Sequence, residues 1–276
     1  MLSASTELWH GHGTSFSNGG IKAAEKSGKL YFSGYVSHTA EIQARRCSPF
    51  LESELLSGND VMPSAEWKAV PDIWRSSAEK YGDRVALVDL YHDPPTKMTY
   101  KELEQEILDF SEGLRVIGVK PDEKLALFAD NSCRWLVADQ GMMATGAINV
   151  VRGSRSSVEE LWQIYNHSES VAFAVDNPEL CNRIAESFLS RAVIRFIILL
   201  WGEKSCLSSE AVKGLSVYNY KEVLDLGRES RMVLVDSQDA RQRYMCEAIN
   251  SDDVATLVYT SGTTGNPKGK GSGVKE

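Results

Sequence analysis

Residues 260–269 read Thr260-Ser261-Gly262-Thr263-Thr264-Gly265-Asn266-Pro267-Lys268-Gly269. Hydroxyl donors, glycines and one cation sit within a single loop-like run. That combination suits a polyphosphate. Gly262, Gly265 and Gly269 let backbone N–H groups approach an anion and take positive φ. Ser261, Thr263 and Thr264 add O–H donors beside Thr260, and Lys268 adds a charge-assisted one. The run is not a Walker A loop, because no frame satisfies G-x-x-x-x-G-K-[ST].

Such a loop needs a rigid element to aim it. The apolar stretch VATLVY (254–259) directly precedes it and reads as a strand. This places the loop at the carboxyl end of a strand, where open α/β sheets bind ligands. Upstream, strand-like and helix-period segments alternate from about residue 66. The strand candidates are RVALVDLY (84–91), KLALFAD (124–130), INVV (148–151), VAFAV (171–175) and VIRFIILL (193–200). Trp74, Ala78 and Tyr81 share one helix face. Leu103, Ile107, Phe110 and Leu114 follow the 3–4 spacing of another, which opens on the capping-box pair Thr99 and Glu102. Ser157 with Glu160 caps a helix carrying Val158, Leu161, Trp162 and Tyr165. Asn177-Pro178 is an N-cap followed by proline at the first helical position. Asn219 with Glu222 starts a short helix. The alternation predicts an α/β fold with a largely parallel sheet flanked by helices. Fully apolar strands such as FIILL fit a sheet covered on both faces.

The formal net charge of −8 argues against broad nucleic-acid binding. No apolar run approaches the ~20 residues of a membrane span; VIRFIILLW (193–201) is interrupted by Arg195. The five cysteines have no CxxC spacing and read as reduced, mostly buried thiols. Residues 1–50 are rich in Ser, Thr and Gly and poor in acids, with Arg45-Arg46 near the end. They suit a transit peptide or an ordinary disordered extension. Arg152 and Arg155 in VRGSRSS read as a solvated loop, or as a basic patch for an acidic partner. His167 is isolated, with no metal-ligand spacing, and reads as structural or surface. Glu102, Glu104, Glu106 and Asp109 read as the solvated face of a helix. Trp67, Trp74, Trp135 and Trp162 read as core or interface packing.

The string YTSGTTGNPKG closely resembles the phosphate-loop signature of the adenylate-forming superfamily, the acyl-CoA synthetases and their relatives. Residues 98–151, beginning MTYKELEQEI and ending GAINVV, look like the family's N-terminal region, and the likeness covers roughly residues 70–269. GAINVVRGSRSSVEEL (146–161) is most similar to the plastid and cyanobacterial long-chain acyl-acyl-carrier-protein synthetases. The resemblance implies the first part of the large N-terminal domain of such an enzyme, here residues 66–269. It implies ATP and Mg²⁺ as cofactors, with Thr260, Ser261, Gly262, Thr263, Thr264, Gly265, Lys268 and Gly269 holding the β- and γ-phosphates. Expected partners are a fatty acid and acyl carrier protein, or coenzyme A. A plastid relative suits the leader and points to the chloroplast, with the cytoplasm as the alternative.

After Gly269 the sequence leaves the family pattern. KGSGVKE follows where relatives continue with an apolar β-branched residue and a Thr-His pair. Residues 270–276 are therefore expected to be a non-family tail without strand or helix period. The domain is expected to be truncated and to lack independent catalysis. The alternatives are a long-chain acyl-CoA synthetase fragment and a non-catalytic, partner-binding remnant.

Overall fold

The structure, a computed structural model, describes residues 21–26, 29–34, 70–210, 212–235, 249, 252–260 and 268–273. The chain divides into two units, Met1–Ser64 and Ala65–Glu276. In the first, β1 (Ile21–Lys26) and β2 (Lys29–Gly34) form an antiparallel hairpin within the stretch read as a leader. In the second, among the described residues, helices α1 (Asp72–Tyr81), α2 (Tyr100–Val116), α3 (Cys133–Ala144), α4 (Val158–His167), α5 (Pro178–Leu189) and α6 (Tyr220–Val235) are interleaved with nine strands. These are β3 (Val85–Asp89), β4 (Thr96–Thr99), β5 (Lys124–Phe128), β6 (Ile148–Arg152), β7 (Ala172–Val175), β8 (Phe196–Leu199), β9 (Ser216–Asn219), β10 (Val254–Thr260) and β11 (Lys268–Gly273).

Strands β5 to β11 form one sheet in the order β11-β10-β6-β5-β7-β8-β9. All neighbours are parallel except β10 and β11. The expected α/β class and largely parallel sheet are therefore present. The apolar runs follow from two-sided burial. Leu125 and Leu127 of β5 join a core with α2, α3 and α6, while Ala126 and Phe128 join a second core with α4 and α5. Successive side chains on a strand point to opposite faces, so a strand roofed on both sides favours apolar residues at successive positions.

The helix starts form where the cap residues predict. The Thr99 hydroxyl accepts from Glu102 N (3.2 Å), and the Glu102 carboxylate accepts from Thr99 N (2.8 Å). Asn219 and Glu222 make the same reciprocal pair at 2.8 Å each. Ser157 accepts from Glu160 N (3.2 Å), and Asn177 accepts from Leu180 N (2.9 Å). Each cap satisfies an N–H that the first helical turn leaves without a backbone partner.

Three expectations are corrected. First, the helix begun by Asn219 and Glu222 is not short: α6 runs to Val235. Second, Glu106 and Asp109 do not lie on a solvated face. Asp109 is buried and ion-paired with Arg228 (3.2 Å) and Arg231 of α6, and Glu106 accepts from the Tyr220 hydroxyl (2.6 Å). Helices α2 and α6 approach so closely because both carry glycine at the crossing. A Cβ on Gly113 would stand 2.0 Å from the Val223 carbonyl oxygen, and one on Gly227 would stand 1.7 Å from that of Asp109. Third, the segment from Lys268 to Gly273 pairs antiparallel with β10 despite having no strand-like side-chain pattern. Backbone N–H and C=O groups suffice to extend a ladder along an edge. Of the tryptophans, Trp74 donates Nε1–H to Gln140 (2.6 Å), and Trp162 packs edge-on against Phe188. Trp67 lies outside the described residues. Cys133 and Cys181 are buried free thiols, pushed by burial up to about 11 and about 12, and Cys206 is exposed.

Two predictions follow from this packing. Gly227→Ala gains about 1 kcal/mol of helix propensity but drives a methyl into the α2 backbone. It should lower stability by about 2 kcal/mol net in urea denaturation. Gly153→Ala, whose Cβ would meet only Asp130 at 3.6 Å, should change little. Equal effects would contradict the glycine crossing. The second concerns Asp139 of α3, which is buried and accepts from Gln140 (2.6 Å) and Asn149. Burial raises its carboxyl from 3.8 to about 7, against those hydrogen bonds. The folded state therefore holds a proton that the unfolded chain releases, and stability falls as pH rises from about 4 to about 7. Asp139→Asn should gain on the parent between pH 5 and pH 8 by on the order of 2–3 kcal/mol. A stability difference that is flat across that range would refute this.

Candidate functional site

Because β5, β6, β7, β8, β9 and β10 are parallel, their carboxyl ends share one edge of the sheet. The polar residues begin there. Asp130 follows β5, Arg152 ends β6, Asp176 follows β7, and Thr260 ends β10. The strand order reverses at β5, with β6 on one side and β7 on the other. Open α/β sheets take ligands at the carboxyl edge near such a reversal. Thr260, the first residue of the run, lies on this edge, two strands from β5.

The expected phosphate-binding residues fall into two groups. Thr260 is the last residue of β10, and Lys268 and Gly269 are the first of β11. The antiparallel register sets Lys268 opposite Thr260 and Gly269 opposite Tyr259. Strands β10 and β11 thus bring the two ends of the run together. Ser261, Gly262, Thr263, Thr264 and Gly265 lie outside the described residues, as do Asn266 and Pro267.

The strand end at Tyr259 is held by Arg152, read from the sequence as a solvated charge or part of a basic patch for an acidic partner, and by His167, read as structural or surface. Arg152 is half-buried and donates from Nη1 to the Tyr259 carbonyl oxygen (3.1 Å), from Nε to Ser156 Oγ (3.0 Å) and from Nη2 to Glu160. Arg152 is therefore engaged within the fold and does not read as a solvated charge. His167 Nδ1 meets the Tyr259 hydroxyl at 2.7 Å, which fits the structural reading of that residue. Arg155 is exposed and pairs with Asp130 at 3.4 Å.

Asp130 and Asp176 were not singled out in the sequence, although each directly follows an apolar strand segment, as in LALFAD and VAFAVD. An acid just past a buried parallel strand was the available signal. Burial raises the Asp176 carboxyl to about 6, and nearby Asp130 adds to this; its Oδ1 has no hydrogen-bond partner. At the same edge, His92 stacks on Trp201 with ring centroids 4.0 Å apart and hydrogen-bonds Asp89 (2.9 Å). Burial alone would raise Asp89, but that hydrogen bond and the N–H groups of Cys133 and Tyr91 hold it below its usual range. Among the described residues, no group of His, Cys, Asp or Glu is arranged to hold a metal ion, and no helix is long and apolar enough to cross a membrane. The donor set of the loop suits a triphosphate. Mg²⁺ would enter as the counter-ion of that triphosphate, with no protein ligand assigned to it.

Comparison with known proteins gives a consistent pattern. Residues 74–270 match the family described as AMP-binding enzyme. The chain is 69% identical over 229 residues to the long-chain-fatty-acid–acyl-carrier-protein ligase AEE15, chloroplastic, of Arabidopsis thaliana. It is 66% identical over 229 residues to the probable acyl-activating enzyme 16, chloroplastic, of the same plant. Both alignments cover 83% of this chain and 31% of the relative, so the chain spans about a third of their length. Among solved structures, an anthranilate CoA ligase with bound anthranoyl-AMP aligns with TM-score 0.59 at 19% identity, covering 76% of this chain and 35% of that one. A long-chain-fatty-acid-CoA ligase from Archaeoglobus fulgidus aligns with TM-score 0.57 at 21% identity, covering 75% and 37%. At these identities the two structures support the fold alone.

Proposed function

The chain belongs to the AMP-binding enzyme family, and from that premise we propose that it supplies the phosphate-holding part of a ligase that activates a long-chain fatty acid with ATP. In that reaction a fatty carboxylate attacks the α-phosphorus of ATP. Acyl-adenylate forms and pyrophosphate leaves. A thiol then displaces AMP to give the thioester. The first step brings two anions together, so neutralising and fixing the phosphates is the protein's main task. The role assigned to Thr260, Ser261, Thr263, Thr264 and Lys268 is to donate to the β- and γ-phosphates, while Gly262, Gly265 and Gly269 admit the backbone N–H groups. Mg²⁺ accompanies the triphosphate and offsets its charge.

The observation that carries this reading is the pairing of Thr260 with Lys268 at the carboxyl end of β10, which brings together the residues that bound the Ser261–Pro267 sequence. The relative at 69% identity, named for acyl carrier protein, favours that thiol donor over coenzyme A, and both it and the relative at 66%, each named chloroplastic, favour the plastid as the compartment. The coenzyme A ligases among the relatives are more distant, such as long chain acyl-CoA synthetase 5 of Arabidopsis thaliana at 28% identity.

Titration calorimetry with MgATP tests the phosphate role directly. The parent chain should bind, and Lys268→Ala should weaken binding by about tenfold, the loss of one charge-assisted hydrogen bond. No binding by the parent, or equal binding by the variant, would contradict the assignment. Any exchange of labelled pyrophosphate into ATP must depend on both palmitate and Lys268. Exchange that survives Lys268→Ala would place the chemistry elsewhere.

A further inference from the structure

Tyr259 is the last buried residue before the loop, at 3% exposure. The parallel ladder between β6 and β10 pairs Thr256 with Asn149, Leu257 with Val150 and Val258 with Val151, and ends there. One residue further on, the Arg152 side chain takes over and donates to the Tyr259 carbonyl oxygen at 3.1 Å. The other end of Tyr259 is held as well. Its hydroxyl meets His167 Nδ1 at 2.7 Å, with the two rings edge-on at 88°.

Both holds lead back to α4. Glu160, in its first turn, engages Arg152, and His167 is its last residue. The guanidinium uses three separate N–H directions, toward Tyr259, Ser156 and Glu160. Its backbone carbonyl accepts from Ala129 N (3.2 Å), which ties the same residue to the chain leaving β5. Arg152 therefore joins four elements at the point where β10 gives way to the loop. A lysine ammonium lacks the planar fork needed to keep all three contacts.

We infer that Arg152 and His167 are positioning residues, which clamp Tyr259 at its carbonyl and its hydroxyl and so fix the direction in which the chain leaves β10 toward its ligand. The inference rests on reading residues 260–269 as a phosphate loop. Neither residue touches the phosphates; both act through Tyr259. A loop that binds by backbone N–H groups depends on where its first residue is set, and small displacements there weaken every later contact.

The test compares the parent chain with Arg152→Lys and Tyr259→Phe. The second variant keeps the buried ring and removes only the bond to His167, so it should fold even where an arginine variant does not. Amide hydrogen exchange should rise about tenfold in peptides covering 256–269, while peptides from β5, β7 and β8 keep their parent rates. Inorganic triphosphate should bind about tenfold more weakly to Arg152→Lys at an unchanged melting temperature. Unchanged exchange at 256–269, or an equal rise across β5, β7 and β8, would overturn the inference, because the residues would then be idle or merely structural. If the parent fails to bind triphosphate, the phosphate reading falls by itself. The exchange data still decide whether the clamp sets the strand end.

Discussion

On β5, Leu125 and Leu127 enter one helix-covered core and Ala126 and Phe128 enter the other, so the central strand has no polar side chain between Lys124 and Asp130. The same two-sided burial governs β7 and β8. A sheet roofed on both faces has no face on which to build a polar site. Its chemistry must collect at the strand ends. Parallel pairing sends the carboxyl ends of six strands to one edge, and there Asp130, Arg152, Asp176 and Thr260 follow directly on apolar runs. The position of Thr260, where the glycine-rich run begins, is thus a consequence of how the core is closed.

What could be read from the sequence was what depends on neighbours in the chain. The caps at Thr99, Ser157, Asn177 and Asn219 formed because their partners lie three residues away. The strands that enter the two cores were visible as apolar runs. Strands β4 and β9 were missed, since TKMT and SVYN have little apolar content and are held by ladder pairing with the preceding strands β3 and β8, which side-chain pattern does not reveal. The carboxylates of α2 were misread for a related reason. Glu106 and Asp109 meet Tyr220, Arg228 and Arg231, more than a hundred residues further along, and helical periodicity cannot reveal such a partner. Gly113 and Gly227, each an isolated glycine inside a helical pattern, were the local signs that another backbone approaches there.

The site shows the same division. The composition of residues 260–269 led to the reading of an anion-binding loop, and the resemblance of YTSGTTGNPKG to a known signature named the family. Neither indicated what anchors the loop. The roles of Arg152 and His167 at the strand end were hidden because their shared partner, Tyr259, is about a hundred positions away. Topology joins them: β10 inserts beside β6, and α4, which follows β6, spans both ends of the tyrosine. A relative at 69% identity supports the family chemistry, while the 31% of its length that this chain spans makes substrate and thiol acceptor matters of proposal.

Binding of a polyphosphate at the carboxyl edge is tested most directly by following backbone amides in the isotopically labelled protein as inorganic triphosphate is added. Amides of residues 260–269 should shift, together with those of 152–157 beside them. Lys124, Ala172 and Phe196, at the opposite ends of β5, β7 and β8, should stay in place. Shifts confined to that opposite edge, or none at saturating triphosphate, would contradict a phosphate site at the end of β10.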